Sequence, residues 1–509
     1  MIYYLIYGSY FNKTIDGDEM RSLEFLFIIM FLAPVLLTAN GNIKFDDYFI
    51  DKTMRIDYFH IGDATSEDVT IDRVYKYGIW AGSLKNLIDE FNNGAYYVEI
   101  YNAASGVMIY SKGFDSYFKE YQLSGDAADG IKRTYHESVV IPYPKAKIKF
   151  VLTKRDKMNQ LNEVFSAVID PNDVMIIEDR VADNEVKVVK SHYSGDPHVK
   201  VDVVILGEGY TAEEESKFNS DLKRFTESFF KLEPYNNLKD KFNIYGVFKP
   251  SEDSGVDEPR AGIFKNTVLN ATFNSLGSER YLLTEDNKSM RDLAAHVPYD
   301  AIYIMVNHNR YGGGGIYNFF CTFTSDNQFA EYLFTHEFGH SFGGLADEYY
   351  TSATAYDNFY PDGVEPVEPN ITRLLDPENV KWKELLTPGI EIPTPWEKGE
   401  YDEVDYAWQK VRREMNSRTA ELKKTKAPAD QIKEAEEAYA KKDKEQSDWV
   451  TEYLNNSKYA GMVGVFEGAG YISTGLYRSM TNCLMFTKQA PFCKVCQAAI
   501  ANVIKHYTE

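Results

Sequence analysis

Between residues 41 and 165, apolar and polar positions alternate in short runs. Met54-Arg55-Ile56-Asp57-Tyr58-Phe59-His60 changes character at nearly every step, the period of a strand with one face buried. Residues 96–101 and 107–110 repeat the pattern on either side of Asn102-Ala103-Ala104-Ser105-Gly106, a composition suited to a hairpin loop. Residues 139–142 and 146–152 add two further strands. The predicted architecture for 41–165 is an all-β sandwich. It shows no obvious catalytic set, so it reads as a binding or positioning module, with His60 and His136 as ordinary surface or edge residues rather than ligands. Residues 166–198 read as a polar connector with β segments.

From residue 199 the pattern changes. Residues 200–206 are almost continuously apolar, as in a buried strand of a mixed sheet. Thr211, with Glu214 as its capping-box partner, opens a helix to about residue 231. Residues 243–248 and 301–306 are two more strands. Next come the glycines 312–315 and Ile316-Tyr317-Asn318-Phe319, which are either an edge strand that a peptide backbone can approach or a flexible loop. Phe329, Leu333, Phe334, Phe338 and Phe342 then recur at helical spacing. Residues 396–458 differ again. A charged helical stretch is broken at Ala427-Pro428-Ala429-Asp430 and resumes over 431–453, predicting a solvated antiparallel helical hairpin inserted near the rim of a site. The fold class expected for 199–509 is α/β (α+β), with a mixed sheet.

At 509 residues, with 38 Tyr and 31 Phe, the chain can build two or more domains with large cores. A net charge of -22 argues against nucleic acid and anionic membrane surfaces as partners. Residues 1–40 read as a misassigned start followed by a signal peptide. Met20-Arg21-Ser22 precedes the apolar run 25–37, and cleavage near Thr38-Ala39-Asn40 follows. The chain is therefore expected to be exported: secreted, periplasmic or on the cell surface. In that oxidising setting the four cysteines, Cys321, Cys483, Cys493 and Cys496, are expected to form one or two disulfides. A structural zinc on the Cys493–Cys496 pair is the less favoured alternative.

The chemistry is concentrated in His336-Glu337-Phe338-Gly339-His340, an HExxH motif. Chance alone yields one in roughly a hundred chains of this length. On a helix the two histidines stand one turn apart on one face and can share a zinc ion, with Glu337 placed as general base. A catalytic zinc takes three protein ligands and leaves one position open. In metzincin peptidases the third ligand follows a glycine, as HExxHxxGxxH. Strict counting lands on Ala346, which cannot bind metal. Counting from Gly344 instead gives Asp347 as the third ligand, with Glu348 as the rival. The glycine suits a left-handed helix stop.

His336 to Tyr349, HEFGHSFGGLADEY, resembles the bacterial zinc metallopeptidase family named after IgA peptidase. Residues 201–211, 477–485 and 492–496 resemble other segments of that family, and the likeness covers about 45–509. The resemblance implies a zincin-like catalytic domain behind an N-terminal β domain. It also implies one catalytic Zn2+ and a methionine turn beneath the metal, with Met485 preferred to Met480. Tyr477 is either an oxyanion stabiliser or a core tyrosine. The function expected is a zinc endopeptidase acting on extracellular protein or glycoprotein. The alternative is a surface glycan- or protein-binding module with a vestigial metal site.

Overall fold

The computed structural model describes residues 43–178, 183–279, 281–352 and 359–509. The expected leader lies outside them. The N-terminal β region contains two four-stranded sheets. In one the spatial order is Arg133–Pro144, Phe49–Gly62, Glu67–Tyr77, Ile177–Glu178; in the other it is Met108–Phe114, Tyr96–Asn102, Ile148–Arg155, Leu161–Ile169. Ile56, Tyr58 and Ile141 of the first sheet share a core with Val98, Ile100 and Phe150 of the second.

Strict alternation fails in the first sheet, for a tertiary reason. Its outer face is covered by the helix Asn287–Ala294, so polar positions expected in solvent are buried too. Arg55 is paired with Asp57 at 2.9 Å and with Asp292 of that helix at 2.7 Å. His60 is not a surface residue either. It is 1% exposed, with Nδ1 3.0 Å from Glu137 and Nε2 3.1 Å from Glu67. The central position of its strand, hydrogen-bonded on both edges, puts it there.

The second region is built on a six-stranded mixed sheet. Its order is Gly313–Ile316, Phe320–Thr324, Ala301–Val306, Val201–Glu208, Phe242–Phe248, Lys187–His192. The four central strands are parallel and both edges are antiparallel. The stretch read as a connector thus supplies one edge of this sheet. The glycine run supplies the other, so of its two readings the edge strand holds.

Thr211 and Glu214 form the expected capping box ahead of the helix Glu215–Phe229. That helix and the helix Ala330–Ser341 pack together on one face of the sheet. Phe338 stacks on Tyr303 with ring centroids 4.9 Å apart and on Phe342 at 4.8 Å.

The charged insertion forms two helices, Lys398–Lys424 and Ala429–Asn455, as expected. It is not merely solvated, because Tyr401, Val450 and Leu454 enter the main core.

Candidate metal centre

The HExxH motif lies in the second half of the helix Ala330–Ser341. Its apolar side chains fix the helix on the sheet, which leaves His336, Glu337 and His340 facing a cleft of about 330 Å³. Gly344, with φ +60°, ends the helix in the left-handed conformation, and the Leu345 N–H donates to the Gly339 carbonyl at 3.0 Å. The chain then doubles back and is held by Asn370, whose side chain accepts from the Ala346 N–H at 2.8 Å and donates to its carbonyl at 2.9 Å. This turn brings Asp347 to the histidines.

The three ligand atoms form a nearly equilateral triangle. His336 Nε2 and His340 Nε2 are 3.2 Å apart, and Asp347 Oδ1 is 3.1 and 3.2 Å from them. Donors about 2.0–2.1 Å from a tetrahedral zinc ion would stand about 3.3 Å apart. Asp347 Oδ1 is buried and has no hydrogen-bond partner, although its other oxygen accepts from the Tyr471 hydroxyl. An acceptor left bare between two imidazole nitrogens fits a cation ligand, so the residues present suit a metal. Burial disfavours charge on both His340 and Asp347. Their mutual attraction wins, raising His340 to about 9 and holding Asp347 well below the usual carboxylate range.

Each ring's far nitrogen is held by backbone. His336 Nδ1 lies 3.2 Å from the Leu484 carbonyl and 3.1 Å from the Tyr332 hydroxyl. His340 Nδ1 lies 2.7 Å from the Leu345 carbonyl. With a metal in place, donation from Nδ1 would leave each Nε2 lone pair directed at the triangle, displacing the proton that Asp347 otherwise draws onto His340. No spacing rule ties Tyr332 or Tyr471 to the motif, and Leu484, although it lies in the late segment 477–485, acts through its backbone carbonyl, which no residue type reveals.

Glu337 is not in the triangle. Its carboxylate lies against the edge strand, where a Cβ added at Gly313 would come 2.8 Å from Oε1. Met485 sits beneath the helix, with a Cβ at Gly339 falling 2.7 Å from its sulfur, which matches the choice of Met485 over Met480. Tyr477 lies in the strand Ile472–Arg478 outside the cleft lining, where Tyr311, Tyr332, Tyr349 and Tyr471 stand instead.

Glu348 points the opposite way from Asp347, into a fully buried site with Cys483, Cys493 and Cys496. Burial beside Cys493 pushes its carboxyl up to about 8. The expected disulfides are absent: all four cysteines are free, and Cys321 lies apart on the strand Phe320–Thr324, its thiol 3.7 Å from the Ile302 carbonyl.

Beside the catalytic-side residues, the cleft is lined by Asn93, Lys119 and Arg155 of the N-terminal β region. No residue of the helical insertion lines it. Among the described residues no helix is long and apolar enough to cross a membrane.

Comparison with known families gives two matches. Residues 189–504 match the model described as IgA Peptidase M64, and residues 44–166 match that of the Peptidase M64 N-terminus. No curated protein matches the chain. The first match alone spans well over half of the sequence and contains the whole His336–Asp347 triangle, so the chain belongs to the IgA peptidase M64 family and is a metallopeptidase, a hydrolase of peptide bonds in protein substrates.

Proposed function

We propose that the protein is an exported zinc-dependent endopeptidase with a zincin-like catalytic domain, in which His336, His340 and Asp347 hold the ion and Glu337 is the general base. The observation that carries this reading is the triangle itself: three ligand atoms 3.1–3.2 Å apart, one of them a buried oxygen without a hydrogen bond. When bound there, zinc supplies Lewis acidity, acidifying a water and polarising the scissile carbonyl.

The chain's own residues do the rest. Glu337, beside the triangle and outside it, takes the proton of the attacking water on its carboxylate and passes it to the leaving amine. The strand Gly313–Ile316 offers an extended substrate an edge to lie along, beyond the bridge that Tyr281 makes with Gly313. Tyr332, Tyr349 and Tyr471 line the cleft beside the ligands and would shield one side of a bound peptide from water. Membership of a peptidase family disfavours the alternative of a binding module with a vestigial site. Export rests on the leader pattern of residues 20–40.

The test is Glu337→Gln in the chain without residues 1–39. Metal content and folding should match wild type, and cleavage of a peptide library should fall to background. Near-native cleavage by this variant would sink the mechanism.

A further inference from the structure

Glu348, Cys483, Cys493 and Cys496 converge from three separate segments of chain, and their ligand atoms all lie within 4.8 Å of one another. Cys483 Sγ and Cys496 Sγ are 3.7 Å apart, and Glu348 Oε1 is 3.3 Å from Cys496 Sγ and 4.0 Å from Cys493 Sγ. Two sulfurs each about 2.3 Å from a tetrahedral zinc ion stand about 3.8 Å apart. We propose that these four residues bind a second, structural zinc ion, distinct from the one assigned to the His336–Asp347 triangle.

Three independent geometric features suit these four residues to a metal ion. Backbone amides donate to sulfur as they do around metal thiolates: the Cys493 N–H to Cys483 Sγ at 3.2 Å and the Cys496 N–H to Cys493 Sγ at 3.4 Å. Glu348 is wholly buried, and its Oε2 has no hydrogen-bond partner. Arg478, also wholly buried, lies within electrostatic reach of both Glu348 and Cys483, and its Nε and Nη2 are unpaired. Three thiolates and a carboxylate around a divalent ion leave a net negative charge, which a buried guanidinium offsets.

The position gives the ion a role. Glu348 follows Asp347, Cys483 precedes Leu484 and Met485, and Cys493 and Cys496 open the helix Lys494–Thr508. One ion would therefore staple the Asp347 segment to the carbonyl that orients His336 and to the C-terminal helix. It would also keep three thiols reduced in an oxidising compartment.

The experiment uses the whole mature chain and its His336→Ala/His340→Ala double variant, each loaded with Zn2+ or with Co2+. Wild type should hold about two zinc ions and the double variant about one. The cobalt form of the double variant should retain the near-ultraviolet thiolate-to-cobalt band, which the sulfur-free triangle cannot produce. Adding Cys496→Ser to the double variant should weaken that band, adding Cys483→Ser and Cys493→Ser as well should abolish it, and Glu348→Gln should shift it. A double variant with no metal and no band overturns the proposal, as does a disulfide at Cys483 in the native protein. Either failure leaves the catalytic reading intact, since that reading is scored by the loss of the other metal equivalent.

Discussion

Asp347 and Glu348 are neighbours in an extended segment, so their side chains leave the chain on opposite sides. One reaches the histidines and the other reaches the cysteines. As neighbours in sequence they are rivals for a single site, but in the structure they face two different clusters of side chains. Asp347→Ala should remove the triangle's metal and reduce cleavage to background while leaving the cobalt–thiolate band. Tyr471→Phe, which deletes only the hydroxyl that holds the second oxygen of Asp347, should lower metal affinity or kcat/KM by about 10–100-fold. His60 lends itself to a pH test. Burial disfavours its charged form, but hydrogen bonds to Glu137 and Glu67 outweigh this and raise its pKa. A raised folded-state pKa stabilises the fold fully below about pH 6.5, the unfolded value, and that stability is lost as pH rises through the folded value. The stability gap between wild type and His60→Gln, from denaturant midpoints, should therefore narrow as pH rises. A gap that widened would contradict the buried ion network. The HExxH residues are legible as a fixed helical spacing, whereas Asp347 needed the count moved to the glycine that ends the helix, and spacing alone left Glu348 beside it. Leu484 and Tyr471 could not be found by counting, because they reach the site from more than a hundred residues away.

The helix Ala330–Ser341 and the turn at Gly344 act as one device: the helix sets the two histidines and the turn returns the third ligand. Gly344 has φ +60°, and an added Cβ would meet Asn93 Nδ2 at 2.1 Å. Gly344→Ala should cost about 1–3 kcal/mol in chemical denaturation and a larger share of activity, since relief of the clash displaces Asp347. An unchanged kcat/KM in that variant would show that the turn does not position the ligand. Two kinds of element were readable: an unbroken apolar run, the strand Val201–Glu208, and elements with a helical period or a cap, the helix after Thr211 and the helical hairpin. The strand Phe320–Thr324 is buried along its whole length but carries two threonines in five positions, so its sequence shows neither an unbroken apolar run nor an alternation. The glycine strand beside it stayed ambiguous until a pairing partner existed.

The N-terminal β region and the peptidase region meet at the site. Asn93 Nδ2 donates to the Gly344 carbonyl at 2.9 Å, and the Asn318 side chain donates to the Gly113 carbonyl at 2.7 Å. Asn93→Ala leaves a buried carbonyl unpaired at the helix stop, and it should cost about 1–3 kcal/mol of stability and lower kcat/KM together. Native stability with native activity would reduce the β region to a passenger. The residue order alone determined the motif, the helix stop, the alternating strands and the charged hairpin, all of which depend on spacings over one or two turns of chain. Tertiary structure decided the rest. It buried Arg55 and His60 under the helix Asn287–Ala294 and between carboxylates. It also gathered three cysteines and Glu348 into one cluster without a disulfide, and set backbone carbonyls behind each histidine. Those outcomes depend on which distant segments share a core, and contacts between segments far apart in sequence leave no period to read.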